Sequence, residues 1–184
     1  DNPKTLASLP LDQKLLASLF QAVTTRTAGF DAIAQGNMTE LSKVTSTILM
    51  FIGGSPGSTA GGVKTVTMGV LLLSVWSTLR GRRDTTVWGK RIGQATVLRA
   101  TAVVILGLTM TTAAAMIISY LEDLPFLSCL FETVSAFGTV GLTLGITPDL
   151  NSASKLILIF LMYLGRVGIL TMTYALAVKM DDKT

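Results

Sequence analysis

Apolar residues along this 184-residue chain are gathered in long blocks separated by short polar stretches. The blocks 93–121 and 153–178 each predict a membrane-spanning helix, because about 20 apolar residues cross a bilayer. A further apolar region, 41–79, is broken in its centre by Gly53–Gly62, which holds five glycines and a proline. A helix interior does not tolerate that composition, so this region predicts two short helices with an unwound centre.

The two halves of the broken region, 41–52 and 66–79, are each too short to cross a membrane alone and together form one crossing. Irregular backbone at membrane depth survives only where protein or water satisfies its polar groups, so 53–62 is expected to face a water-filled cavity. An extramembrane turn between two half-buried helices is the alternative interpretation. Lys64 follows the break, where it can snorkel or point into the cavity.

Two polar, glycine-containing stretches, 20–30 and 131–142, resemble each other and are too polar for ordinary spans. Placing Thr139-Val-Gly-Leu on Thr27-Ala-Gly-Phe aligns Gly141 with Gly29, an offset of 141 − 29 = 112. We call this separation the repeat offset. The upstream parts then match as Phe-x-x-Val-Ser/Thr with one residue of slippage. We interpret both stretches as re-entrant pore loops, in which a short helix descends and an extended backbone returns.

Each stretch includes or follows a short predicted helix. Asp12 is expected to cap the first, from about Gln13 to Thr24, and Pro125 to begin the second, which runs to about Phe137. At about 1.5 Å per residue, neither helix crosses a core of about 30 Å. An amphipathic interfacial helix for the first, and glycine turns on the membrane surface for both, are the alternatives. Asn151 or Ser152 is expected to cap the last span.

Composition and charge agree with an integral membrane protein. The chain is 49% hydrophobic and 14% charged, whereas a soluble domain carries about 25% charged residues. Six of the fifteen Lys and Arg residues lie between Arg80 and Arg99, which indicates that 80–91 is a cytoplasmic loop and not a nucleic-acid patch. Both pore loops then enter from outside, and the repeats are parallel. Cys129 alone forms no internal disulfide, and without histidine there is no zinc cluster or Ser-His-Asp triad. No titratable pair is placed for catalysis, so no enzyme is predicted.

The repeated strips have the chemistry of an ion path. A cation leaving water needs oxygens, and rings of backbone carbonyls can replace its hydration shell. Gly29 and Gly141 provide the unusual dihedral angles that such carbonyls require, and the negative end of each short helix favours a cation. The candidate ion-binding residues, with K⁺ at their carbonyls, are Thr27, Ala28, Gly29, Gly138, Thr139, Val140 and Gly141.

Arg166 lies near the centre of the predicted 153–178 span. A charge at that depth costs about 2.5–3.5 kcal/mol, so it is expected to face a cavity or a partner. In a cation path it would form an electrostatic barrier. The alternative is a structural Arg bonded to carbonyls or paired with a carboxylate such as Glu132. Arg26 is interpreted as bracing the first loop from behind, with Asp31 or a carboxylate of a neighbouring repeat as its candidate partner.

Four motifs together, over nearly the whole chain, resemble the Trk/Ktr/HKT potassium transporter superfamily. They are Phe-Gln-Ala-Val-Thr-Thr-Arg-Thr-Ala-Gly-Phe (20–30), Gly-Gly-Ser-Pro-Gly-Ser-Thr-Ala-Gly-Gly-Val-Lys-Thr (53–65), Ser-Ala-Phe-Gly-Thr-Val-Gly-Leu (135–142) and Gly-Arg-Val-Gly (165–168). The nearest likeness is to the KtrB membrane subunits of bacterial Ktr systems. The resemblance implies an all-α membrane protein in the cell membrane, with four non-identical span–pore loop–span repeats around one axis and one filter glycine in each.

The resemblance also implies a function and partners. It implies channel-like K⁺ uptake promoted by Na⁺, with K⁺ as the transported ion and no tightly bound cofactor. It implies a homodimer on a cytosolic ring of nucleotide- and NAD-binding subunits of the KtrA type. An intramembrane loop and a pore arginine would gate the path. The implied gating residues are Gly53, Gly54, Ser55, Pro56, Gly57, Ser58, Thr59, Ala60, Gly61, Gly62, Lys64 and Arg166.

By this resemblance the chain holds only part of the pore. Residues 1–80 would form the third pore loop with its broken inner helix, 81–92 a cytoplasmic loop, 93–179 the fourth repeat and 180–184 a cytoplasmic tail. Repeats one and two are expected in a longer polypeptide or another chain; the combination of two copies is the alternative. A secondary transporter that binds a small solute at the broken helix, and a membrane scaffold without transport, are the rival functions.

Overall fold

The computed structural model describes residues 5–7, 9–57, 60–81, 85–87 and 90–168. Its helices are α1 (Leu11–Thr24), α2 (Glu40–Phe51), α3 (Thr65–Leu79), α4 (Gln94–Glu122), α5 (Phe126–Gly138) and α6 (Ser152–Val167), with 3-10 turns at Gln35–Asn37 and Thr147–Asp149. A two-residue hairpin, β1 (Thr86–Val87) with β2 (Lys90–Arg91), lies in the basic loop. The predicted helical architecture is confirmed.

The longest helix is α4, with 29 residues. It is the one helix in the described part of the chain that is long and apolar enough to cross a membrane. Its bounds agree within one residue with the span predicted over 93–121. Glu122 at its end accepts hydrogen bonds from the backbone N–H of Asn151 and the hydroxyl of Ser154. The carboxylate therefore joins the end of α4 to the start of α6.

The core is built around α5, which packs against α2, α4 and α6. Every residue from Phe131 to Gly138 is buried. On one side Cys129 and Ala136 join a cluster with residues of α4 and α6. On another side Phe131 and Val134 pack against Met50 of α2. Burying one large apolar side chain contributes about 1.5–3 kcal/mol, so the contacts on several faces fix the position of this short helix.

The interruption between α2 and α3 is a closed loop. Ile52 and Val63 form an isolated parallel bridge, and the Gly53 N–H donates to the Val63 carbonyl at 2.8 Å. The Thr65 N–H donates to the Gly54 carbonyl at 3.2 Å. The chain therefore returns beside its point of departure before α3 begins, which confirms two short helices with a non-helical centre. The predicted gating residues Ser58 and Thr59 lie outside the described residues.

Two predicted helix ends are wrong. The first helix begins at Leu11 with Pro10 as its N-cap residue, and Asp12 lies within its first turn, where it cannot act as the cap. Proline fixes φ and lacks an N–H that would need a partner, so it suits this position. The last helix does not continue over 153–178, because α6 ends where Gly168 takes φ +92°; residues 169–178 lie outside the described part. Its predicted cap is confirmed, since the Asn151 side chain accepts from the Ser154 N–H.

Candidate functional site

The ends of α1 and α5 lead into two backbone strips with the same dihedral signature. Thr27 and Thr139 both lie in the left-handed region, with φ of 66° and 54°. Two residues further on, Gly29 and Gly141 have φ of 72° and 90°. Positive φ is uncommon outside glycine, so its recurrence at the repeat offset confirms the sequence repeat. We call α1 with strip 27–30 the first unit, and α5 with strip 139–142 the second unit.

A hydroxyl holds the far end of each strip against its helix. The Thr24 hydroxyl donates to the Phe30 carbonyl at 2.7 Å, and the Ser135 hydroxyl donates to the Leu142 carbonyl at 2.7 Å. The two carbonyls are separated by the repeat offset, whereas the two hydroxyls are separated by one position less, which confirms the slippage expected between the units. We call these two contacts the strip latches.

The two strips lie side by side. A Cβ placed on Gly29 would come within 2.2 Å of the Val140 carbonyl oxygen. A Cβ placed on Gly36 would come within 2.9 Å of the Leu144 carbonyl oxygen. The Val140 carbonyl of the second strip therefore closely approaches the first strip, and the segments that follow the two strips are in contact as well, as expected if both strips line one path. Of the predicted ion-binding residues, Gly138 differs from the rest, because it forms the buried end of α5 and belongs to no extended strip.

The loop between α2 and α3 packs on the junction of α5 and its strip. The Gly61 N–H donates to the Thr139 hydroxyl oxygen at 2.9 Å. A Cβ on Gly61 would lie 2.6 Å from that side chain, and a Cβ on Gly62 would lie 3.2 Å from the Gly138 Cα. The Lys64 ammonium donates to the Ala60 carbonyl within the same loop. Glycines thus permit the loop to approach the strip at backbone distance.

Arg166 lies in the last turn of α6, where a positive charge interacts favourably with the helix C-terminus. It lines a cavity of 770 Å³ beside the second strip, with Thr139 and Gly141. It also lines a cavity of 200 Å³ beneath the loop, together with Lys64. The described lining of the smaller cavity includes these two cations and no carboxylate. Arg166 therefore borders both the cavity beside the second strip and the cavity beside the loop.

Gly165 explains how α6 comes so near to α5. A Cβ at this position would lie 1.8 Å from the Phe137 carbonyl oxygen. Only glycine allows this approach, which brings the last turn of α6 and its Arg166 against the end of α5.

Two side-chain pairings offered by the sequence are absent. No ion pair joins Glu132 to Arg166 in the described part of the chain, because the Glu132 carboxylate accepts hydrogen bonds from residues 143–147. No ion pair joins Arg26 to Asp31 among the described residues either, and the Asp31 carboxylate accepts instead from the Gln35 amide. These hydrogen-bond networks were not predicted, although Glu132 is the one charged residue inside the predicted short helix 125–137.

The helical fold with its paired strips is that of a membrane transport protein. The chain matches the TrkH family, described as a cation transport protein, over residues 2–184, and it belongs to that family. The family is one of transport proteins and not of enzymes, as the sequence predicts. This also confirms the resemblance to the Trk/Ktr superfamily.

Curated relatives agree with the family. The chain is 44% identical over 176 residues to Ktr system potassium uptake protein B of Bacillus subtilis, covering 96% of this chain and 40% of that protein. It is 42% identical over 182 residues to the potassium/sodium uptake protein NtpJ of Enterococcus hirae, covering 97% of this chain and 40% of that protein. The chain thus spans 40% of the length of these relatives.

A solved structure shows the same fold. The potassium transporter TrkH from Vibrio parahaemolyticus matches with a TM-score of 0.76 and 24% identity, over 90% of this chain and 37% of the transporter chain. The all-α membrane transporter fold predicted from the sequence is therefore confirmed.

Proposed function

We propose that this chain contributes two of four carbonyl strips to a K⁺ uptake pore. The observation that carries the proposal is the repeated backbone of the two units, with left-handed Thr and Gly residues at the same offset and the strips in contact at Gly29 and Val140. Carbonyls presented in this way can replace the hydration shell of a cation. The ion-binding carbonyls are those of residues 27–29 in the first strip and 139–141 in the second, and Gly138 completes the helix that positions the second strip.

Names of the relatives support the choice of ion. One is described as a potassium uptake protein and the other as a potassium/sodium uptake protein. Because this chain spans 40% of their length, we propose that repeats one and two complete the pore, either in the same polypeptide or in another chain. Residues 1–80 then act as the third pore loop and its broken inner helix, and 93–179 as the fourth repeat, in a multi-pass protein of the cell membrane.

The loop 53–62, Lys64 and Arg166 form the proposed gate. Support comes from the hydrogen bond between Gly61 and Thr139, which attaches the loop to the second strip. It also comes from the two cations that line the 200 Å³ cavity beneath, since they repel a cation in the path. Promotion by Na⁺, a homodimer and a cytosolic nucleotide-binding ring of the KtrA type complete the proposal, in line with the Ktr system named for one relative.

Rubidium uptake by the assembled transporter tests the filter. Gly141→Ser should lower the preference for K⁺ over Na⁺ about tenfold or more, because a side chain at φ +90° strains the strip. Gly81→Ser is the matched control, since Gly81 also has a positive φ, +68°, but lies far along the chain from both strips, and a Cβ there meets nothing within 4 Å. If Gly141→Ser keeps the wild-type preference, the filter assignment is wrong. Competition of uptake by organic solutes, but not by rubidium, would select a secondary transporter.

Removing the charge of the gate tests the second part of the proposal. Arg166→Ala should raise the rate of rubidium flux severalfold, because one cation is lost from the narrow cavity. Arg99→Ala, on the exposed face of α4, is the control and should leave the flux unchanged. A fall in flux with normal amounts of folded transporter would assign Arg166 a structural role.

A further inference from the structure

Glu132 is a buried carboxylate that the proposed pore and gate leave without a role. It lies in the middle of α5 and is 4% exposed. Its Oε1 accepts from the Thr143 hydroxyl at 2.7 Å and from the Leu144 N–H at 2.9 Å. Its Oε2 accepts from the Thr147 hydroxyl at 2.7 Å. All three donors belong to the segment that directly follows the second strip.

The first unit has a hydrogen-bond network at the same place. Gln21 and Gln35 exchange two amide hydrogen bonds, at 2.8 and 3.1 Å. The Gln35 amide also donates to the Asp31 carboxylate at 2.8 Å. Gln35 is 2% exposed and therefore as deeply buried as Glu132. We call each network a brace, because it ties the segment after a strip to the middle of the short helix.

The spacing between the units shows that the two braces are equivalent. Gln21 and Glu132 are separated by one position less than the repeat offset, as are the two hydroxyls of the strip latches. Asp31 and Thr143 are separated by the full repeat offset, and so are Gln35 and Thr147. The positions are therefore matched, but the carboxylate lies on the helix in the second unit and on the returning segment in the first.

The two braces differ in the charge and the burial of the groups that form their hydrogen bonds. In the second unit a carboxylate accepts from three donors, and hydrogen bonds to a carboxylate are about twice as strong as neutral ones. In the first unit the helix contributes a neutral amide, and the carboxylate of Asp31 is exposed to solvent. The second strip is thus held between the buried Ser135 latch and a buried carboxylate brace. The first has a latch of the same 2.7 Å length, but its brace consists of neutral amides and the exposed Asp31 carboxylate.

We propose that Glu132 is the positioning residue of the second strip, and that it sets ion preference by fixing the spacing of the strip carbonyls. The proposal rests on the filter function proposed above. Glu132 acts through Thr143, Leu144 and Thr147 and does not touch the ion. Gln21 has the same position in the first unit, with a smaller effect on ion preference.

The test measures K⁺, Rb⁺ and Na⁺ uptake by the assembled transporter carrying Glu132→Gln. This change keeps the shape of the side chain, but it removes the charge and places an amide NH₂ against a donor. The preference for K⁺ over Na⁺ should fall by up to about tenfold, because the NH₂ group removes one of the three contacts that hold the segment after the strip. Glu132→Asp should restore part of the preference. Gln21→Glu should change it less than about threefold, since the partner amide can reorient.

Thr133→Val is the matched control. Thr133 adjoins Glu132 and is fully buried, and its hydroxyl donates only to the Leu130 carbonyl of the same helix. This variant should keep the wild-type preference. If Glu132→Gln does not assemble, Thr147→Val removes one donor from the brace and should lower the preference by a smaller factor.

Three results would overturn the proposal. The brace has no positioning role if Glu132→Gln keeps the wild-type preference while Gly141→Ser loses it; the filter assignment then stands. If neither variant changes the preference, the filter assignment is wrong and the brace proposal fails with it. A fall in maximal uptake at constant ion preference and constant KM would show that Glu132 only supports folding.

Discussion

Each unit and the inner helix that follows it form one structural repeat, and the chain contains two such repeats. Both short helices end in a strip with the same two left-handed positions. The inner helices, α2 and α6, begin with caps at Thr39 and Asn151, which are again separated by the repeat offset. The glycines near their ends, Gly53 and Gly165, keep the same separation. The repeat therefore extends through the inner helices and is not limited to the strips.

The units differ in how firmly they are embedded. All residues of α5 from Phe131 onward are buried, whereas Thr24 is the buried residue of α1. Along α1, Leu15, Leu16 and Leu19 are each more than 60% exposed. A short helix without packing on several sides cannot fix a strip by itself. In this chain the second unit is thus the more deeply packed of the two, and the first unit is positioned by fewer contacts.

The two inner helices differ in the path that the backbone takes after the equivalent glycines, Gly53 and Gly165. After Gly53 the chain leaves the helix and forms the closed loop that returns at Val63. At Gly165 the helix continues to Val167 and carries Arg166 in its last turn. One scaffold thus provides two different groups beneath the strips, a backbone loop and a cation. The difference indicates that the proposed gate combines unequal parts of similar repeats.

The largest expected effect is that of Gly165→Ala. Its Cβ would lie 1.8 Å from the Phe137 carbonyl of the buried helix α5, so backbone must move. We expect the free energy of unfolding to fall by about 3 kcal/mol or more, at the upper end of the range for an overpacked core. Gly53→Ala brings a Cβ to 2.2 Å from the Gly61 carbonyl, which belongs to a loop and not to a buried helix. It should cost about 1–3 kcal/mol.

Thermal unfolding of the assembled transporter, together with rubidium flux, separates these two substitutions. Gly165→Ala should lower the melting temperature more than Gly53→Ala does. Gly53→Ala should change the rubidium flux with a smaller loss of stability. Gly69→Ala, on α3 where a Cβ meets nothing within 4 Å, is the control. Equal losses of stability at Gly53 and Gly165 would contradict the expected difference between a loop and the buried helix α5.

Much of this architecture could be predicted from the sequence. Apolar block lengths predicted α2, α3 and α4 within one residue, and the Thr-x-Gly repeat predicted the strips with their slippage. The end of α6 could not be predicted, because a Gly-x-x-Gly segment is compatible with a continuing transmembrane helix. The braces were missed since equivalent positions hold different residue types, Gln21 against Glu132 and Gln35 against Thr147. Applying the repeat offset beyond the strips would have paired them.

The strip latches provide the next test of the comparison. Ser135→Ala leaves the Leu142 carbonyl without its donor in a region where Leu142 is 2% exposed. An unsatisfied buried carbonyl costs about 1–3 kcal/mol. Thr24→Val removes two bonds to Phe30, but that residue is 69% exposed and water can replace the partner. We expect a cost of about 1 kcal/mol there.

Thermal unfolding distinguishes the two latches, with Thr101→Val as a control for hydroxyl loss on α4, where the hydroxyl bonds its own helix. Ser135→Ala should also reduce the preference for K⁺ over Na⁺ more than Thr24→Val. A larger effect on stability and preference for Thr24→Val would show that the first strip is the more firmly held, and would reverse the ranking of the units.

The caps of the inner helices should give the smallest difference. The Asn151 side chain accepts from the Ser154 N–H at 2.8 Å, and Glu122 adds bonds from the Asn151 N–H and the Ser154 hydroxyl. The Thr39 hydroxyl accepts from the Ser42 N–H at a longer 3.3 Å in an exposed position. Losing an N-cap costs about 0.5–2 kcal/mol. Asn151→Ala should therefore lie near the upper value and Thr39→Ala near the lower.

Chemical or thermal unfolding of the assembled transporter measures both caps, and Asn151→Asp, which preserves a capping oxygen, should recover most of the loss at position 151. Ion preference should stay unchanged in all three variants, because within the described residues the capping hydrogen bonds join neither a strip nor a brace. The cap of α6 is joined to α4 through Glu122 and to the buried Ser154, whereas the cap of α2 begins the helix that ends in the loop. The half of the chain that contains α5 and α6 is expected to be the more firmly packed. If Thr39→Ala destabilises the transporter more than Asn151→Ala, this expectation is wrong.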